Sequence, residues 1–108
     1  MAWVLLVVAG LFEVAMAYSL KMSDGFSHLW WSVGFFVFSV LSFGLLSLAL
    51  KNLEVGTAYA VWTGIGAVGT AILGIALLGD NASLLKIVSI VFIILGVVGL
   101  NLAGGAAH

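Results

Sequence analysis

The sequence predicts an all-α membrane protein with four transmembrane helices, and three observations predict it. Of 108 residues, 65% are hydrophobic and 6% are charged, where a soluble domain carries about 25% charged residues. The charges are three lysines and four acidic residues, with no arginine. Residues 29–50, 55–79 and 87–108 contain no charge at all, and each stretch is long enough for the about 20 apolar residues of a spanning helix. A water-soluble surface cannot be built from this supply. Three scattered lysines make no basic patch, so nucleic acid is excluded as a partner. The absence of cysteine excludes disulfides, thiol nucleophiles and thiolate metal sites. No cofactor is implied.

The elements follow in order. The first helix spans about 2–20 and is interrupted by one charge, Glu13. Its start, Met1-Ala2-Trp3-Val4, has no basic region, so a cleaved signal peptide is not expected. The run Lys21 to His28 reads as a loop, and helix two as about 29–50. Lys51-Asn52-Leu53-Glu54 reads as a tight turn before helix three, about 56–78. Gly79-Asp80-Asn81-Ala82-Ser83 reads as a third loop, rich in good N-cap residues for helix four, about 84–104. A β-barrel needs alternating segments of about 10 residues, and these apolar runs are too long and continuous for that. Residues 1–108 thus read as a single four-helix transmembrane domain with no room for a soluble one.

Charge says little about orientation. Lys21 and Lys86 border the loops of one side, while Lys51 and the terminal amine lie on the other. This balance fits insertion in both orientations, and equally one orientation held by a weak bias.

Glu13 is the most informative residue. It lies about 16 Å into the first helix, near mid-bilayer. An ionisable group there is costly and is by default a functional candidate. Burial disfavours the charged form of a carboxyl, and a carboxyl that takes up and loses a proton can exchange it for a cation. The plainer alternative is a protonated Glu13 that hydrogen-bonds a neighbouring helix. Ala9, Gly10, Met16 and Ala17 share its face. The small residues leave space beside the carboxyl, and Met16 adds a polarizable wall. The same small face also suits close helix packing.

Helix three supplies aromatics. Tyr59 and Trp62 are spaced i,i+3, and Trp62 lies about 9 Å inside the helix. That is deeper than the interfacial belt that Trp3, Trp30 and Trp31 fit. An anion with an aromatic face makes a cation site; ordinary aromatic packing is the other possibility. Gly64 and Gly66 follow at once, where glycine allows either a bend or tight packing. On helix two, Ser39, Ser42 and Phe43 can face the same space, although serine in a helix commonly bonds its own carbonyls. On helix four, Ser89 and Gly96 are seven apart and form a small strip suited to a helix crossing between subunits. Lys21 and Lys86 read as snorkelling anchors. His28 and His108 read as solvent-exposed and do not form a metal pair.

Over nearly the whole chain these residues resemble the small multidrug resistance family of bacterial proton-coupled cation exporters. The likeness rests on length, four helices, Glu13, the loop Lys21-Met22-Ser23-Asp24-Gly25-Phe26, and the run Gly56-Thr57-Ala58-Tyr59-Ala60-Val61-Trp62-Thr63-Gly64-Ile65-Gly66. The resemblance implies a multi-pass protein of the bacterial inner membrane in which Glu13 binds proton and cation in turn. It implies a pocket walled by Tyr59 and Trp62, a helix-three hinge at Gly64 and Gly66, and a helix-four dimer contact at Ser89 and Gly96. It also implies an antiparallel, dual-topology homodimer. Helix three looks most like the guanidinium exporters, which also carry a serine matching Ser42. Those exporters typically have Trp where this chain has Met16, and Lys where it has Asn101. The branch exporting quaternary ammonium compounds often has Gly and Asn there, with a helix-two tyrosine that is Ser39 here.

Three other classes are open to a chain of this kind. A proton-translocating ring subunit also holds a lone membrane carboxylate, but typically as a two-helix hairpin. A non-transporting regulatory or assembly subunit of a membrane complex is the alternative, which reconstitution of the purified protein alone decides. A membrane enzyme would need a nucleophile–base pair or metal ligands, and none converge on Glu13.

Overall fold

The computed structural model describes residues 1–104, so His108 lies outside the described residues. Four helices follow in chain order: α1 (Ala2–Met22), α2 (Leu29–Ala49), α3 (Val55–Leu77) and α4 (Leu84–Ala103). All four are long and apolar enough to cross a membrane. The fold is all-α among the described residues, as predicted, and each boundary falls within two residues of its expected place.

The ends of the helices have local causes. α1 runs two residues beyond the expected stop, which puts Lys21 in its last turn. A cation there complements the negative end of the helix dipole. Ser23 then closes the helix. Its Oγ donates to the Leu20 carbonyl at 2.7 Å and accepts from the Phe26 N–H at 3.2 Å. Around this buried hydroxyl the chain turns sharply, with Asp24, Gly25 and Phe26 all left-handed at φ 48°, 71° and 67°. At the start of α4, Ser83 is the N-cap and accepts from the Lys86 N–H at 3.2 Å. The Lys86 ammonium donates to the Asn81 carbonyl at 2.7 Å, which holds it in the loop.

α1 is the centre of the packing. It lies against α2 and α3, while α4 touches the rest through α3. The core gathers Leu6 and Ala9 of α1, Leu46 and Ala49 of α2, Leu53 of the turn, and Ala58, Val61 and Trp62 of α3. It therefore sits at the end where the α2–α3 turn meets the first half of α1. Phe12 and Phe38 stack at 5.9 Å and extend the α1–α2 contact beyond it. The molecule is a slab, 44 × 34 × 17 Å between Cα atoms. α4 has no buried residue.

Candidate functional site

Glycines bring α1 and α3 close. A Cβ at Gly10 would lie 2.6 Å from Ile65 Cγ2, and one at Gly69 would overlap Val14. Between these two contacts Glu13 meets Gly66: a Cβ at Gly66 would overlap the Glu13 carboxyl. The carboxyl therefore rests on bare α3 backbone. Its Oε1 is buried and finds no hydrogen-bond partner among the described residues. A buried acceptor without a donor is a costly arrangement, of order 1–3 kcal/mol or more for a charged group.

One turn away lies a hydrogen-bond chain across three helices. The Trp62 Nε1–H donates to Ser42 Oγ at 3.0 Å, and Ser42 Oγ donates to the Ala9 carbonyl at 2.7 Å. Ser42 is completely buried and Trp62 is 5% exposed. A serine hydroxyl has one proton to donate, so this arrangement commits the proton to Ala9. Within an α-helix the Ala9 carbonyl is also the acceptor for the Glu13 N–H. Ser42 is thus tied to the carbonyl one turn before Glu13. Tyr59, Trp62 and Gly66 are spaced i, i+3, i+7 and share one face of α3. That face carries the aromatic pair at one end and the carboxyl at the other.

The remaining expected residues are spread unevenly. Tyr59 is 51% exposed and meets Trp62 edge-on at 5.2 Å. Phe43 tilts against the other side of Trp62, also at 5.2 Å, with much of its ring exposed. Met16 is half-buried. Ser39 donates to the Phe35 carbonyl of its own helix at 2.7 Å, the ordinary fate of a helical serine. Ala9 contributes a carbonyl as well as a small side chain. Gly64 faces α4, where a Cβ would lie 2.7 Å from Val97 Cγ2. α3 is one uninterrupted helix across Gly64 and Gly66. On α4, Ser89 donates to the Leu85 carbonyl at 2.7 Å and is exposed, and a Cβ at Gly96 would meet nothing within 4 Å. No group of three metal-ligating side chains occurs among the described residues.

A lone carboxylate in a spanning helix beside an aromatic face is chemistry for binding a cation or a proton. A model of the Small Multidrug Resistance protein family matches residues 1–93. The chain belongs to the Small Multidrug Resistance family. It is a multi-pass membrane transport protein of the bacterial inner membrane. Curated relatives in this family include a guanidinium exporter of Yersinia pseudotuberculosis serotype I (strain IP32953), 58% identical over 103 residues, which cover 95% of this chain and 99% of that one. The guanidinium exporter of Escherichia coli (strain K12) is 52% identical over 103 residues, covering 95% and 98%. That of Proteus vulgaris is 48% identical, covering 95% and 99%. The match to this family and these relatives thus covers almost the whole four-helix chain.

The residues that sequence reasoning missed are those that set the α1–α3 distance. Ile65 over Gly10 and Val14 over Gly69 are large-against-small pairs. The glycines were visible; their partners depend on the crossing.

Proposed function

We propose that this chain is a proton-coupled antiporter that exports small organic cations of the guanidinium type, with Glu13 binding proton and cation in turn. The observation that carries the reading is the Glu13 carboxyl, seated in a membrane span with Oε1 buried and without a partner among the described residues. A guanidinium is planar and presents N–H donors in a fork that fits a carboxylate. A quaternary ammonium ion has no N–H to give. The guanidinium exporters at 52–58% identity support the same choice.

The working unit in this proposal is an antiparallel homodimer. Supporting it are the slab shape, the half-open Tyr59 and the α4 face, whose apolar residues Leu84, Leu85, Phe92, Leu95 and Leu102 are all exposed. Two copies facing each other bring two Glu13 carboxyls to one pocket, where they titrate as a coupled pair. A cation arriving from the cytoplasm displaces protons. The dimer then changes its open side, with Gly64 and Gly66 as the proposed flexible points of α3. Protons entering from outside release the cation. Competition for the same carboxylates is the coupling.

The test is electrical recording on proteoliposomes of the purified protein alone. Guanidinium, a substituted guanidinium and a quaternary ammonium ion are compared side by side. Currents with the guanidinium compounds and none with the quaternary ion are expected. Equal currents from all three would overturn the substrate class. Silence with all three would overturn transport itself and favour a regulatory subunit.

A further inference from the structure

The three close approaches of α1 to α3 differ in chemistry. Gly10 with Ile65 and Gly69 with Val14 each set an aliphatic side chain on a glycine. The middle approach sets a carboxyl on one. A Cβ at Gly66 would overlap the Glu13 carboxyl and lie 3.0 Å from its Cγ. Gly64, two residues earlier, points the other way, onto Val97 and Ile93 of α4. Residues two apart on a helix face nearly opposite directions. The two glycines therefore touch different partners.

The structure assigns Gly66 the role of a positioning residue for Glu13: its bare backbone is the seat that holds the carboxyl against α3, one turn beyond Trp62. This rests on the proposal that Glu13 is the cation ligand, and it gives Gly66 a task that Gly64 does not share. The seat cannot widen easily. Ile65 on Gly10 and Val14 on Gly69 pin the helices on both sides of it, and Ser42 ties the Ala9 carbonyl nearby. A methyl group at position 66 must therefore displace the carboxyl rather than the helix. The carboxyl would then leave the face that carries Tyr59 and Trp62.

The partner of the methyl group is a side chain whose length can be changed. Glu13→Asp withdraws the carboxyl by one methylene and keeps its charge. A seat predicts that Gly66→Ala and Glu13→Asp compensate each other. A pure bend at Gly66 predicts no such compensation, because backbone flexibility does not depend on the length of a side chain on α1. Gly64→Ala is relieved by Val97→Ala instead, and not by Glu13→Asp.

The experiment is a double-mutant cycle on guanidinium currents in proteoliposomes. Gly66→Ala is expected to raise the concentration for half-maximal current about tenfold, the scale on which touching residues couple. Adding Glu13→Asp is expected to recover most of that loss, while the same Asp in the Gly64→Ala background adds its own loss. Additive losses in the Gly66→Ala background would overturn the seat. If Gly66→Ala alone does not fold in detergent, the double variant is expected to fold, and its failure would also overturn the seat. If the unaltered protein carries no guanidinium current, the proposed function fails by itself. The cycle is then read from detergent melting temperatures, where compensation again supports the seat and additivity overturns it.

Discussion

The indole N–H of Trp62 on α3 donates to Ser42 of α2 across 3.0 Å, and the Ser42 hydroxyl donates in turn to the Ala9 carbonyl of α1 at 2.7 Å. One hydroxyl thus joins three membrane helices at the edge of the candidate cation site. Its loss is unequal for its two partners. Ala9 still receives the helical N–H of Glu13, whereas the buried indole N–H of Trp62 is left without an acceptor.

Ser42→Ala is therefore expected to destabilise the protein by about 1–3 kcal/mol, the cost of an orphaned buried donor. Trp62→Phe removes the donor while keeping a ring against Tyr59 and Phe43, so the unmet hydrogen bond is not left behind. The ring's loss of size still lowers stability. Ser42→Thr keeps the hydroxyl and recovers part of the loss. Thermal melting in detergent checks the series, with the Trp62 environment followed by fluorescence in a background lacking the other three tryptophans. Equal melting temperatures for Ser42→Ala and the unaltered protein would contradict the chain.

In the proposed dimer Gly96 belongs to the contact between copies rather than to the fold of one chain. A Cβ there meets nothing within 4 Å, and α4 has no buried residue. Gly96→Leu is expected to leave helical content unchanged by circular dichroism and to shift the protein from dimer to monomer on size-exclusion chromatography with light scattering. Retention of the dimer would remove Gly96 from the proposed contact.

Ser23 is a structural prediction. Its buried hydroxyl serves both the Leu20 carbonyl and the Phe26 N–H in a loop with three left-handed residues. Ser23→Ala is expected to cost about 1 kcal/mol, the usual size of a lost cap or net hydrogen bond. Hydrogen exchange should rise at Phe26 and its neighbours, while guanidinium affinity stays as it was.

The four spans were legible because charge is so scarce that each polar group marks a boundary. Ser83 was legible as an N-cap because capping is local chemistry. The position of Glu13 followed from helical rise alone. Lys21 was misread as loop because its charge marked a boundary, whereas α1 runs on to Ser23, whose hydroxyl binds back to the Leu20 carbonyl. Leu53 in the second turn is buried in the core shared by α1, α2 and α3, which its place between two polar residues does not show. The Ser42 contact with Ala9 joins residues 33 apart in sequence. Neither that bond nor the Glu13 contact with Gly66 can be read from periodicity, since both are set by how closely α1 approaches its neighbours. Composition marks which residues can be small at a crossing; the crossing itself decides what lies on them.

In the proposed cycle one carboxyl takes proton and cation in turn. Glu13→Gln keeps the side chain's size and its seat on Gly66 but removes the titrating group. The decisive measurement is guanidinium accumulation in proteoliposomes driven by an imposed proton gradient. The unaltered protein is expected to accumulate guanidinium against its concentration gradient, and Glu13→Gln is expected to show none at any gradient. Accumulation by Glu13→Gln that still follows the proton gradient would show that Glu13 is not the proton-coupled ligand.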